Sequence, residues 1–194
     1  MQFRGHRILV IFASLVSSAG CLQTSTTGVA INATPRESVE TAYYENGKPK
    51  AERTSKYGTL EGVVTTWWPD GTKMTETTYL RGERHGLATQ WWSNGQKMQE
   101  CMYEYGKKHG EFKSWGQNGQ QELQCVYIND VEDGPIIAWW PNGQKRCEGV
   151  YAKGNRIGMF RAWDRSGKLL SAKEYESSGP SAPVAGTNAP PVIP

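Results

Sequence analysis

Between residues 41 and 176 the apolar positions come in short strings broken by polar, glycine-bearing segments, and the strings recur at a fixed step. Gly62, Gly86, Gly110, Gly134 and Gly158 stand 24 residues apart, and so do the turn glycines Gly47, Gly71, Gly95, Gly119, Gly143 and Gly167. Trp67, Trp91, Trp115, Trp139 and Trp163 keep the same step, with Tyr43 one repeat earlier, and Tyr79, Tyr103, Tyr127, Tyr151 and Tyr175 close each unit. Interlocked series of this kind, with no insertion between them, mark a repeat architecture. The breaks are of two kinds. In "PDG" and "PNG" the proline presets the first turn position, Asp or Asn tolerates the second and Gly takes a left-handed third, which is the chemistry of a three-residue hairpin loop closing with a bulge. The second link, as in "YLRGERHG" and "YEYGKKHG", is longer and again punctuated by glycine. Each unit therefore predicts a β-hairpin. The whole predicts an all-β, antiparallel meander that gains two strands per unit, six units in all over 41–176. The first unit, Thr41 to Glu61, is worn: Ser55 replaces the closing tyrosine and Tyr57 sits two places late, as suits a terminal, capping repeat.

Successive strand residues point to opposite faces, so the adjacent tryptophans of "WWSNGQK" cannot share a side. With a three-residue loop, Trp92 pairs with Gln96 and Trp91 with Lys97. Extending that register gathers Leu87, Thr89, Trp91, Lys97, Gln99, Cys101 and Tyr103 on one face and Ala88, Gln90, Trp92, Gln96, Met98, Glu100 and Met102 on the other. A two-residue Asn-Gly turn would shift the second strand by one. The first aromatic position is filled in every unit and, on the face of the closing tyrosine, reads as a structural ladder of stacked rings. The second runs Tyr44, Trp68, Trp92, Gly116, Trp140 and Asp164. Because it accepts Gly and Asp, Tyr44, Trp68, Trp92 and Trp140 are the candidate binding residues; the alternative is that they pack under neighbouring loops. Val64, Ala88, Phe112, Ile136 and Phe160 fall on this second face too, leaving apolar surface on both sides of the predicted sheet.

The stretch "GLATQWWSNGQKMQECMYEYGKKHG" resembles the MORN-repeat variant of YwqK-like antitoxin proteins, through Trp91, Trp92, Asn94, Gly95, Lys97, Glu100, Tyr103, Gly106, Lys107, His109 and Gly110. The resemblance extends over about 41–176. It implies a repeat surface for binding or scaffolding, and it brings an antitoxin-like immunity role as one alternative and no enzymatic activity.

Outside the array the chain changes character. Arg4 and Arg7, an apolar run from Ile8 to Val16 and the small residues Ser17-Ser18-Ala19-Gly20 have the order of an export signal, too short for a membrane-spanning helix. "SSAGC" resembles a bacterial lipobox, which would make 1–20 a signal peptide, Cys21 the lipidated residue and the protein an envelope lipoprotein held to a membrane. Ser18 departs from that pattern, and cleavage after Ala19 to give a secreted protein is the alternative. Residues 21–40 read as a tether, and 177–194, rich in Pro, Ser, Gly and Ala, as a disordered tail.

Charge narrows the partners. Losing Arg4 and Arg7 from 22 Lys+Arg leaves 20 against 19 Asp+Glu, so the mature chain is near neutral and carries no electrostatic footprint for nucleic acid. A protein or a cell-wall glycan is the expected ligand.

No catalytic, metal or cofactor constellation stands out. With Cys21 set apart, Cys101, Cys125 and Cys147 are an odd set without CxxC spacing. Cys101 and Cys125, two strands apart, lie beyond disulfide reach, and Cys147 is two places out of phase. His85 and His109 occupy one link position in successive units and read as turn residues. Glu76, Glu100 and Glu148 form a periodic row interrupted by Gln124 and Ala172, which reads as solvated cross-strand pairing rather than paired catalytic carboxylates.

Overall fold

The structure, a computed structural model, describes residues 37–176. The predicted signal peptide, Cys21, most of the tether and the tail 177–194 lie outside the described residues. The described chain is all strand and turn, with no helix long and apolar enough to cross a membrane. Six hairpins follow one another: β1 (Glu37–Tyr43) with β2 (Pro49–Lys56), β3 (Thr59–Trp67) with β4 (Lys73–Leu80), β5 (Glu83–Trp91) with β6 (Lys97–Glu104), β7 (Lys107–Trp115) with β8 (Gln121–Ile128), β10 (Gly134–Trp139) with β11 (Lys145–Ala152), and β12 (Asn155–Trp163) with β13 (Leu169–Tyr175). They form one open antiparallel sheet in chain order; the short β9 (Val131–Glu132) pairs only β8. The meander is as the repeat predicts. Its start is earlier: Glu37 to Glu40 pair with β2, Glu40 opposite Arg53, so these residues belong to the sheet and not to the tether.

The tight turn is the three-residue type. Gly95 N–H donates to Trp92 O at 2.9 Å, Trp92 N–H donates to Gln96 O at 2.8 Å, and Gly95 takes φ 82°. Beyond it, however, a second irregularity enters. Trp91 pairs with Lys97 but Gln90 pairs with Gln99, so Met98 is an extra residue and the rest of β6 slips by one. The same bulge recurs in every hairpin. A one-residue slip moves every later side chain to the other face, which corrects the face assignment. Glu100 and Met102 share the face of Trp91, while Cys101, paired with Ala88, and Tyr103, paired with Gly86, lie on the opposite face. Small and aromatic apolar residues are thereby joined on one side: Ala88, Cys101, Phe112 and Cys125 pair in one continuous row.

The two faces can be named for the rings they carry. On the tyrosine face a second row runs Gln90, Gln99, Ser114, Leu123, Ala138, Cys147 and Ala162. Ala138, Cys147 and Ala162, with Leu123 against them, are the buried cluster of the sheet. Cys147, out of phase with Cys101 and Cys125, belongs to this row of small residues. On the tryptophan face the apolar side chains stay open to solvent, Leu87 at 46% and Met102 at 39%.

The links between hairpins turn through two residues that are both left-handed, as at Arg81-Gly82 (φ 52° and 85°), a type I′ turn. In β4–β5 Thr77 pairs with Ala88 but Tyr79 with Arg84, so His85, Gly86 and Leu87 together face Thr78. Gly86, at φ 87°, makes that wide bulge. Link turns are stitched to the preceding repeat: Gly82 N–H donates to Leu60 O, Gly106 to Arg84 O, and Gly154 to Glu132 O, at 2.8–2.9 Å.

Candidate functional site: the tyrosine face

The register brings the closing tyrosines into a row with the cations that follow each link turn. Tyr79 pairs with Arg84, Tyr103 with Lys108, Tyr127 with Glu132 and Tyr151 with Arg156. Each cation reaches forward over the next tyrosine: Arg84 over Tyr103 at 4.3 Å, Lys108 over Tyr127 at 4.8 Å, and Arg156 over Tyr175 at 5.7 Å. Such stacking is worth about 0.5–1 kcal/mol where exposed and more as water is excluded. The fourth unit breaks the series with Glu132, which accepts from Tyr127 Oη at 3.4 Å.

Over the last three units the face opens as a groove of about 1020 Å³. Leu123 and Ile136 form its floor, Tyr127, Tyr151 and Tyr175 cross it, and Trp140 stands at its rim. Phe160 is edge-on to Tyr151 (5.5 Å) and to Tyr175 (5.3 Å) and fixes their spacing. Arg156 donates from Nε to Tyr151 Oη at 3.3 Å and from Nη1 to Tyr175 Oη at 3.1 Å. The bond to Tyr151 is the main reason its guanidinium pKa is raised. Arg146 and Arg165 lie over the Trp140 indole at 5.6 and 5.3 Å. Burial pushes the Cys125 thiol up to about 11 and raises the Tyr127 hydroxyl as well, so neither ionises near neutrality.

Charge is distributed unequally between the faces. On the tryptophan face the periodic glutamates are paired: Lys73 with Glu76 at 2.7 Å, Lys97 with Glu100 at 2.5 Å, and Lys145 with Glu148 at 2.7 Å, with Arg161 also on Glu148. The fourth unit replaces both members, and Gln121 Nε2 donates to Gln124 Oε1 at 3.2 Å. By contrast, among the described residues Arg84, Lys108, Arg146, Arg156 and Arg165 form no ion pair. Sequence reasoning missed these cations although Arg84, Lys108 and Arg156 keep the 24-residue step; what the bulge decides is that the tyrosines they pair with share the face of Trp140, Arg146 and Arg165.

The first tryptophans lie opposite the tyrosines and not beside them. Their ladder alternates ring and ammonium: Lys73 lies over Trp91 at 5.1 Å, Lys97 over Trp115 at 5.8 Å, and Lys145 over Trp163 at 5.5 Å. The second aromatics, Tyr44, Trp68, Trp92 and Trp140, are half-buried and each spends its polar atom on the next repeat. Tyr44 Oη donates to Trp67 O (2.7 Å), and the indole N–H groups of Trp68, Trp92 and Trp140 donate to the carbonyls of Trp91 (3.3 Å), Trp115 (3.0 Å) and Trp163 (3.0 Å). The exceptions have local causes. A Cβ at Gly116 would meet the Glu122 carboxylate at 2.7 Å. Asp164 belongs to the last hairpin, with no further carbonyl to reach, and instead accepts from the backbone of Ser166 and Lys168 at 2.8 and 3.0 Å.

Neither histidine meets a catalytic partner. His85 is edge-on to Tyr105 at 5.5 Å, and His109 Nε2 is 3.6 Å from the Glu104 carboxylate. Cys101, Cys125 and Cys147 are buried free thiols, and no cluster of potential metal ligands occurs among the described residues.

The family model described as MORN repeat variant matches residues 36–57 and 84–105, which correspond to the first hairpin and most of the third. No curated protein matches the chain.

Proposed function

We propose that this is a non-catalytic binding protein of the bacterial envelope whose recognition surface is the tyrosine-face groove. The observation that carries the reading is the charge distribution. Tyrosine hydroxyls and the guanidinium groups of Arg146, Arg156 and Arg165 line the groove, and among the described residues none of the three is in an ion pair although Glu122, Glu132 and Glu176 line it too, while the opposite face satisfies its own charges in lysine–glutamate pairs. A groove with an apolar floor and a few convergent donors suits an extended protein segment whose backbone carbonyls need partners. The predicted lipid on Cys21 would hold this surface at a membrane, with 22–36 as the tether. Processing that is sensitive to globomycin and lost in Cys21→Ala supports the anchor, and unchanged soluble export rejects it.

Photo-crosslinking in cells, from a benzophenone residue at Asn155, an exposed position lining the groove, tests the main reading. Capture of a defined protein that is lost in Arg156→Ala supports it. Retention on purified wall polymer, lost together in Trp92→Ala and Trp140→Ala, would replace it with glycan recognition. A single toxin as the captured protein would make the role one of immunity.

A further inference from the structure

The groove has a geometric period. Each repeat adds two strands, so successive closing tyrosines are about 9.6 Å apart at a strand spacing of about 4.8 Å. A polyproline II helix has three residues per turn at about 3.1 Å each, a pitch of about 9.3 Å. A segment of the form PxxP thus presents one proline per tyrosine along this row, the match that aromatic-lined grooves use for proline-rich ligands. The hydroxyls are prepared for such a ligand. Tyr151 and Tyr175 accept from Arg156, which leaves each hydroxyl proton free to donate to a carbonyl. Polyproline II carbonyls have no partners within their own helix.

The chain carries such a segment next to the groove. Tyr175 and Glu176 line one end of it, and the sequence continues as "SSGPSAPVAGTNAPPVIP", with Pro180-Ser181-Ala182-Pro183 and Pro191-Val192-Ile193-Pro194 as two PxxP elements. Three residues, Ser177-Ser178-Gly179, separate Glu176 from Pro180. From Tyr175 to Tyr127 is two repeats, about 19 Å, which about six polyproline II residues span. Residues 177–194 contain no Lys, Arg, Asp or Glu, so nothing in them repels the unpaired guanidiniums.

We infer that the groove is a receptor for proline-rich PxxP segments and that its resident ligand is the chain's own 177–194 tail, with Pro180 and Pro183 against Tyr175 and Tyr151. An outside partner then competes with a ligand held in cis. The inference rests on the groove being a binding surface, and its test reads the tail alone.

Full-length chain is compared with a variant in which Pro180, Pro183, Pro191 and Pro194 are all alanine, changes that leave the sheet untouched. The probe is a fluorescein-labelled peptide of residues 177–194, followed by anisotropy. A tethered tail acts at an effective concentration on the order of mM, so a peptide of roughly 100 μM affinity binds the variant about tenfold more tightly than the unaltered chain. Adding Arg156→Ala to the variant removes that binding. Equal affinity for both chains, no binding to the variant, or binding indifferent to Arg156 overturns the inference. If the tail fails while crosslinking still captures a partner through Arg156, the tail proposal falls and the binding surface stands.

Discussion

Replacing Trp92 by phenylalanine keeps a ring in place and deletes one donor, the indole N–H that reaches Trp115 O at 3.0 Å across the hairpin boundary. A net hydrogen bond is worth about 1 kcal/mol, and the carbonyl left behind is part-buried. The smaller ring covers less surface; some 20 Å² at about 25 cal/mol per Å² adds roughly 0.5 kcal/mol. Trp92→Phe should therefore cost about 1.5 kcal/mol, which for a chain of this size lowers the melting temperature by about 3–6 °C. The control is its neighbour. Trp91 carries Lys73 over its ring at 5.1 Å, and phenylalanine keeps most of that attraction, so Trp91→Phe should cost no more than about 0.5 kcal/mol. Thermal unfolding followed by circular dichroism at one protein concentration reads both. A Trp91→Phe loss equal to or larger than that of Trp92→Phe would refute the assignment of inter-repeat bonding to the second aromatic.

Three further outcomes follow from the packing. In Gly149→Ala the new methyl meets three Phe160 ring atoms at 2.4–2.5 Å, so urea denaturation should show a loss of about 1–3 kcal/mol that shrinks when Phe160→Leu is added. Gly116→Ala drives a methyl onto the Glu122 carboxylate at 2.7 Å and Asn118 Oδ1 at 2.9 Å; its destabilisation should fall by at least half in the Glu122→Ala background, and independence of Glu122 would remove the steric account. The Cys125 thiol is raised from 9.0 to about 11 in the folded chain, so its contribution is complete below pH 9 and is lost as pH rises towards 11. Stability should decline over that window and less so in Cys125→Ala, while a thiol reagent at pH 8 should leave all three buried cysteines of the native sheet unmodified.

The Glu–Lys pairs illustrate how far single-chain periodicity can be read. Their row at 76, 100 and 148, and its joint replacement by Gln121 and Gln124, is visible as spacing, but the partners are not the expected cross-strand ones. Lys73, Lys97 and Lys145 lie three residues earlier on the same strand, brought to the glutamate's face by the intervening bulge, and only Arg161 reaches Glu148 from the next strand. The tyrosine groove was not legible in this way. Arg156 meets Tyr151 across a local link turn, but Trp140 shares their face only because of a bulge residue, Arg146 here and Met98 in the third unit, that carries no glycine to announce it.

The number of hairpins, their order and the type of each tight turn follow from local chemistry: a 24-residue step, breaks that end in glycine after Asn, Asp or Ser, and strands of a length that two turns delimit. Those features are decided within a few residues, where backbone preference acts alone. Which face each side chain takes is decided across strands, because pairing energy is summed over the whole ladder and can absorb one extra residue per hairpin. That slip places Cys101 and Tyr103 with Ala88 and Phe112, puts the buried apolar cluster on the tyrosine face, and leaves the unpaired cations beside the tyrosines where a ligand can meet them.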